Sequence, residues 1–393
     1  MKRIEGKVDK NNGLSSEKVS SPTAFQNTIA SPVNLQNIAA LKSPGDQFGP
    51  PKLTPSTTGG EESGGETVKL SFSVHQSQYW PLIQKSLPLN VQGMLQELKP
   101  YYWLAKESDR QSLSPAISPS LARGGHDWLS QLPLSIVTHL SQAYFMVFNL
   151  IFPIIEEEAF FSDTLRRASE DGFAFDVHTC LVMMVLALGC LAIQAFQEGG
   201  YAEFLESHGL FDPRISSDPT SDNEILRSLL QEDPPGLSFF NEGRKRAGFF
   251  ICESSVWTSQ YNLLAALYFS QILRPVDAWI MTHRACVLLQ LFWNGHSKLL
   301  DGNFPDLWAR LYWIALMFEA VMGDELNLPP TSLSRFENKV PIPRFDDGPS
   351  AEQLPGVPGA SVRDRSYFKY HFLAQVAHRL IVSRLRDALY INC

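Results

Sequence analysis

The chain has 393 residues, of which 44% are hydrophobic and 19% are charged, and its formal net charge is −8. A nucleic-acid-binding protein normally presents a basic face, because lysines and arginines replace the counterions of the phosphates. The negative net charge therefore argues against a chain whose main role is to bind DNA or RNA. The hydrophobic fraction is enough for a globular core over most of the length.

Residues 1–70 differ in composition from the rest of the chain. Their only aromatic residues are Phe25 and Phe48, and Ser, Pro, Gly, Asn and Thr dominate. Such a segment buries too little apolar surface to offset its conformational entropy, so we predict that it is disordered. Its Ser-Pro and Thr-Pro dipeptides fit proline-directed phosphorylation, although composition alone also accounts for them. Residues 71–127 are predicted to form short helices, broken by prolines, and then a linker.

From Trp128 onward the pattern is that of an all-α protein, and we predict one large helical domain over 128–393. Apolar and aromatic residues recur at helical spacing, and alternating β-branched runs are few. The predicted helices lie near residues 133–149, 176–197, 200–208, 222–231, 254–272, 276–293, 306–326 and 366–390. The longest apolar run ends at Gln194, short of the ~18 residues that a membrane span needs, and is predicted to be a buried helix.

The predicted helix 306–326 is apolar on nearly every side of the helical wheel. A helix of this kind is enclosed by neighbouring helices. Asp306 in its first turn favours the helix dipole and is placed to pair with Arg310 four residues later. Arg310 and Glu319 are the main polar exceptions in its body and lie on opposite faces. The sequence therefore predicts a central core helix here.

Another pair of helices is predicted around a short connection. Either Ser254 or Ser255 is placed to cap the helix over 254–272. Arg274-Pro275 then leads directly into the helix over 276–293. Because so short a connection reverses the chain, we expect the two helices to pack antiparallel.

Three stretches together resemble the fungal-specific transcription factor domain, also called the middle homology region. They are FMVFNLIFPIIEEEAFF (145–161), SQYNLLAALYFSQILRPVDAWIMTHRACVLLQLF (259–292) and RLYWIALMFEAVMGDELNLPPTSL (310–333). Ala278-Trp279 and Arg274-Pro275 match dipeptides of the family's central helix pair, and Glu319 stands where the family has Asp. Ala320 departs from the family pattern, which has Arg there. The resemblance covers roughly residues 130–390.

The resemblance implies a transcription regulator of the fungal zinc-cluster type that acts in the nucleus. In this family an N-terminal cluster of six cysteines holds zinc and reads the DNA, whereas the first cysteine here is Cys180. The expectation is a regulatory domain without its own zinc cluster, either standing alone or preceded by a missing segment. Expected partners are the transcription machinery, a homologous zinc-cluster factor, a second copy of the chain and a small-molecule effector. Direct DNA binding and membrane association are not expected.

Motifs for chemistry are sparse, and we predict no catalytic, metal or cofactor residues and no cofactor. The five cysteines are too few and too far apart for a disulfide framework, so reduced thiols are predicted. The pairs His178/Cys180 and His283/Cys286 lie in apolar helices, which favours core packing over a metal site.

The remaining polar candidates are also interpreted as structural residues rather than as catalytic ones. Glu156-Glu157-Glu158 follows a helix-start signal, where acidic residues favour the dipole. His126-Asp127 lies in the linker, and His371 and His378 are expected to be hydrogen-bonded or solvent-facing.

Three alternatives remain open at this stage. An effector pocket would be lined by large, soft side chains: Met183, Met184, Phe292, Met317, Phe318 and Met322. The chain could instead be an adaptor without DNA-binding activity that dimerises with a full-length relative. A third hypothesis is an all-α enzyme with an unrecognised site, which would need convergent polar residues around an apolar cavity.

Overall fold

The computed structural model describes residues 81–97, 102–115, 128–199, 221–295, 306–326, 328–345 and 362–390. Every regular element within these ranges is helical, which confirms the predicted all-α class. All of them lie in one compact unit, Gly64–Cys393. The segment predicted to be disordered, the helix expected at 200–208, His126-Asp127 and much of the linker lie outside the described residues.

The helices are numbered in chain order. Three short ones come first: α1 (Pro81–Ser86), α2 (Leu89–Glu97) and α3 (Tyr102–Ser108). After α4 (Leu134–Ile151), a short α5 (Glu157–Ala159) continues through a π-helical turn (Phe160–Thr164) into α6 (Leu165–Glu170). The rest are α7 (Val177–Gly199), α8 (Ser221–Leu230), α9 (Leu237–Ala247), α10 (Val256–Gln271), α11 (Pro275–Gly295), α12 (Asp306–Leu326), a 3₁₀ turn (Leu333–Phe336) and α13 (Val362–Tyr390).

Most of the predicted helices agree with the structure to within a few residues at each end. Two regions differ, because α9 and the α5–α6 segment were not predicted. In α9, Phe239, Phe240, Gly243 and Ala247 follow helical spacing, and three basic residues occupy the last turn. Those signals are typical of a short helix, so the sequence did carry the information.

Helix α7 lies at the centre of the core. Every residue from Thr179 to Cys190 is buried, because α4, α9 and α10 pack around it. Helix α10 packs along α11 over the length of both, and α11 packs in turn against α12. The Oγ of Ser255 accepts a hydrogen bond from the Thr258 N–H at 3.1 Å, so Ser255 is the cap of α10.

Two of the described helices, α4 and α7, are long and apolar enough to span a bilayer by length and composition alone. Other parts of the protein bury 44% of the most apolar window of α4 and 78% of that of α7. Packing in a helical core accounts for that hydropathy, which supports the prediction of a buried helix at α7.

Helix α12 is enclosed as its sequence predicts, and Arg310 and Glu319 in its body are buried as well. Arg310 is 7% exposed and Glu319 is 6% exposed. Arg310 pairs with Asp306 at 3.1 Å, as predicted, and also with Glu156 at 2.6 Å. The charge of Arg310 is therefore offset by two carboxylates, and Glu319 accepts a hydrogen bond from the backbone N–H of Thr331.

Candidate functional site

A groove of about 340 Å³ lies where α9, α10 and α11 meet. Most of its lining is apolar or aromatic, and three charged side chains reach it. The lining residues are Phe240, Arg244, Ala247, Gly248, Ile251, Tyr261, Ala265, Phe269, Asp277, Ile280, Met281 and Arg284. Ligand sites typically combine this size with an apolar wall and a few polar groups, which makes this groove the candidate functional site.

The wall formed by α9 is held in place by close packing. Gly236, just before the helix, has a φ of 72°, and a Cβ there would lie 2.7 Å from the carbonyl oxygen of Ala187 in α7. A glycine therefore permits both the turn and the close approach. The ring of Phe240 stacks on that of Tyr268 in α10, with centroids 4.2 Å apart. These contacts fix the side of α9 that faces the groove.

The C-terminal end of α9 is held by a buried ion pair. Arg246 is 7% exposed, and its guanidinium pairs with Glu242 one turn earlier. The same guanidinium donates to the carbonyl oxygens of Phe173 and Ala174. Lys245 also pairs with Glu242, at 2.7 Å. The charges of Lys245 and Arg246 are thus paired with Glu242, and neither residue lines the groove.

Two arginines of the groove have no carboxylate partner among the described residues. Arg244 donates to the side-chain oxygen of Asn241 and lies 5.4 Å from the centroid of Phe240. Its Nε is buried without a hydrogen-bond partner in the described part of the chain, and burial lowers its pKa. Arg284, on the exposed side of α11, makes no ion pair with a described residue.

Tyr261 lines the same groove as both arginines. Burial raises the pKa of Tyr261, and the charges of Arg244 and Arg284 partly oppose that rise. Tyr261 is 5% exposed, and the described residues provide its hydroxyl with no hydrogen bond. Two guanidinium groups and a phenol thus converge on one region of an apolar groove.

The third charged residue of the groove, Asp277, is already neutralised. Its carboxylate accepts a hydrogen bond from the Nε of Arg274, which is 8% exposed. Arg274 also donates to the carbonyl oxygen of Gln111 at 2.8 Å. The ion pair fixes the turn between α10 and α11, and the groove retains a net positive character.

On α11, exposed apolar residues extend the groove along the helix surface. Ile280 lines the groove and is 40% exposed, Val287 is 41% exposed, and Leu291 is 57% exposed. With Arg284 they repeat at the spacing of one helix face. The surface beside the groove is therefore also apolar.

In the histidine–cysteine pairs considered from the sequence, Cys180 and Cys286 are buried in the core, whereas His178 and His283 are only partly buried. The rings of His178 and Trp257 lie 5.3 Å apart, and those of His283 and Trp279 lie 5.1 Å apart. The Cys180 thiol donates to the Gly243 carbonyl oxygen at 3.4 Å, and burial raises its pKa. Among the described residues, no three His, Cys, Asp or Glu side chains come together as a metal site would require.

Two of the other polar candidates belong to different helical elements, because Glu156 precedes α5 and His371 lies in α13. Glu156 of the acidic triplet pairs with Arg310 at 2.6 Å. His371 contacts Gln375 at 2.6 Å on an exposed face of α13. None of them reaches the groove.

None of the six side chains predicted to line an effector pocket lies in the groove. Met183 and Met184 are fully buried in α7, Met317 is buried in α12, and Phe292 stacks on Trp308 with centroids 3.6 Å apart. Sequence reasoning missed Arg244 because α9 was not predicted. Arg284 was within a predicted helix. Helical spacing shows which face of that helix Arg284 lies on, but it does not show which residues lie opposite that face.

Comparison with known protein families matches residues 142–378 to the fungal specific transcription factor domain. The chain belongs to this family. No curated protein and no solved structure matches the chain.

The fungal specific transcription factor domain extends from α4 into α13 and contains all three helices that form the groove. Membership confirms the resemblance that the three sequence stretches indicated. It also assigns the chain to the regulators of transcription and places the groove inside the family domain.

Proposed function

We propose that this chain is the regulatory domain of a fungal zinc-cluster-type transcription regulator and acts in the nucleus. The observation that carries the proposal is the family match over residues 142–378. In this proposal the regulatory domain spans residues 128–393, and the Ser/Pro/Gly-rich residues 1–70 and the region 71–127 precede it. The domain works through contacts with the transcription machinery, a homologous zinc-cluster factor or a second copy, and a small-molecule effector modulates it.

In this proposal the chain neither binds DNA directly nor catalyses a reaction. The net charge of −8 is unfavourable for binding a polyanion. Several arginines of the described ranges are engaged by carboxylates, as Arg246 and Arg310 are. The groove residues Arg244, Arg284 and Tyr261 are suited to holding an anion.

A reporter assay tests the regulatory role. Residues 1–393 are fused to a heterologous DNA-binding module, and transcription is measured from a reporter that carries the module's site. We expect the fusion to change transcription relative to the module alone and to accumulate in the nucleus. The matched control is the same fusion with Trp313→Ala, which removes a buried core side chain and should abolish the effect. No change by the wild-type fusion, at equal expression, would reject the proposal.

A second experiment tests the absence of direct DNA binding. Purified residues 1–393 are incubated with a random duplex library at physiological salt, and bound DNA is sequenced over several rounds. We expect no enriched sequence. Enrichment of one sequence would show that the chain reads DNA itself and would contradict the proposal.

A further inference from the structure

We propose that the groove between α9, α10 and α11 binds an amphipathic organic anion, a small apolar molecule that carries one carboxylate. Arg244, Arg284 and the hydroxyl of Tyr261 hold the carboxylate, and the aromatic and aliphatic wall holds the apolar body. The inference rests on the proposed function, because a small-molecule effector is part of it, and it names the chemical class of that effector.

Charge complementarity is the first argument. Arg244 is half-buried, its Nε has no partner among the described residues, and its burial lowers its pKa. A buried donor without an acceptor costs free energy that a bound carboxylate would recover. Arg284 supplies a second guanidinium with no described ion-pair partner. Guanidinium groups are well suited to carboxylates because both are planar and form paired hydrogen bonds.

The neighbouring carboxylates do not satisfy these arginines. Asp277 lines the groove but is bound by the buried Arg274, and Glu242 is bound by Lys245 and Arg246. The groove is therefore locally cationic within a chain whose net charge is −8. An anionic ligand meets attraction here that a neutral or cationic ligand of the same shape does not.

The size and lining of the groove define the rest of the ligand. Its volume of about 340 Å³ is at the lower end of the range for small-molecule sites. Phe240, Phe269 and Met281 supply a wall that suits an aromatic or branched aliphatic body. Because two arginines and one phenol are available for one anionic group, a molecule with a single acid fits better than a dicarboxylate.

The test compares two probes of one shape and different charge: 2-naphthoate and 2-naphthalenemethanol. Each is titrated into purified residues 1–393 at physiological salt, and binding is followed by ligand-observed NMR. We expect naphthoate to bind with a Kd of about 1 mM or tighter, which is reasonable for a fragment of this size. We expect the neutral alcohol to bind about tenfold more weakly, because it lacks the charge-assisted hydrogen bonds.

Variants show whether the groove is responsible. Arg284→Gln should weaken naphthoate binding about tenfold and leave the alcohol unchanged. Arg284 is exposed, so the variant should fold normally. The matched control is Arg335→Gln, in the 3₁₀ turn outside the groove, which should bind both probes as the wild type does. Arg244→Gln gives an independent second variant at the buried end.

Three results would overturn the inference: equal binding of the acid and the alcohol, naphthoate binding that neither arginine variant weakens, or no naphthoate binding while an acidic amphipathic peptide binds. The last result would assign the groove to a protein partner. Because the titration requires no transcription, it fails or succeeds independently of the reporter assay. A failed titration with an active reporter would reject the ligand class and leave the proposed function standing.

Discussion

The carboxylate of Glu319 in α12 accepts a hydrogen bond from the backbone N–H of Thr331, with the two atoms 2.5 Å apart. On the other side, Gln290 of α11 donates to the carbonyl oxygen of Thr331 at 2.6 Å. Two helices thus hold one residue of the segment that follows α12 by both of its backbone groups. The acidic residue that corresponds to the family's Asp therefore has a structural role here.

Removing this carboxylate should destabilise the fold. Glu319→Ala leaves the N–H of Thr331 without its acceptor, and we expect a loss of about 1–3 kcal/mol in the free energy of unfolding. Glu319→Gln keeps an acceptor oxygen in place and should lose less. Urea unfolding followed by circular dichroism measures both. Equal losses for the two variants would show that the charge, rather than the hydrogen bond, is what matters.

A second prediction concerns Trp313, six residues earlier in α12. It is 2% exposed, and its Nε1 donates to the carbonyl oxygen of Pro341 at 3.0 Å. Trp313→Ala should cost about 3–5 kcal/mol, as truncation of a large buried aromatic residue does. The control is Trp257→Ala, because Trp257 is 43% exposed and should cost much less. Urea unfolding of the two variants checks this, and a loss below about 1 kcal/mol for Trp313→Ala would mean that α12 is not central.

The sequence predicted most of this core because helical periodicity and caps are local signals. The pairing of Asp306 with Arg310 and the cap at Ser255 follow from residues three or four positions apart. The partners of Glu319 and Trp313 lie 12 and 28 positions further along the chain. No local pattern specifies such contacts, so the sequence identified these residues as important without showing what they bind.

The groove was harder to predict for the same reason. Arg244 and Arg284 lie on helices that are not consecutive in the chain, and both line the groove together with Tyr261 on a third helix. Their convergence depends on how α9 and α11 pack around α10. Of the large side chains predicted to line a pocket, Phe292 and Met322 pack against the core. The other four are buried in it, where such residues are usually found: Met183, Met184, Met317 and Phe318.

A third prediction follows from the close contact between α4 and α7. A Cβ built on Gly189 would lie 2.2 Å from the carbonyl oxygen of Leu140. Since this neighbour is backbone, it cannot move aside as a flexible side chain can. Gly189→Ala should therefore force the helices apart and cost at least about 1–3 kcal/mol, measured by thermal or urea unfolding.

Gly93→Ala is the control for this substitution. No atom lies within 4 Å of a Cβ built on Gly93, which is exposed on α2. Alanine is the better helix former, so this variant should be as stable as the wild type or slightly more stable. Similar destabilisation by both substitutions would contradict the close approach of α4 and α7.

A fourth prediction uses two glutamates whose pKa values shift in opposite directions from the ordinary value of 4.5. Burial alone would raise the pKa of Glu242, but hydrogen bonds and charges from Lys245 and Arg246 outweigh it, so the net pKa is lowered. Burial raises the pKa of Glu232, although hydrogen bonds from Ser238 and Leu237 partly oppose the rise.

The two shifts make opposite contributions to stability as a function of pH. Glu242 has a folded-state pKa below its unfolded value, so its stabilisation is complete above about 4.5 and is lost as the pH falls through the folded pKa. Glu232 has a folded-state pKa above its unfolded value, so its carboxyl group favours the folded state at low pH. That advantage is lost as the pH rises from about 4.5 through the folded pKa.

Replacing each glutamate with glutamine removes its titration. The difference in stability between the variant and the wild type then shows the sign of that glutamate's contribution. Near neutral pH, Glu242→Gln should cost roughly 3 kcal/mol, because it leaves Arg246 buried without its charge partner. The difference from the wild type should shrink as the pH falls below about 4.5. For Glu232→Gln the stability of the variant relative to the wild type should increase as the pH rises above about 4.5. Urea unfolding from well below pH 4.5 to neutral pH measures both trends, and trends of the same sign in the two variants would contradict the opposite environments that the structure gives these carboxylates.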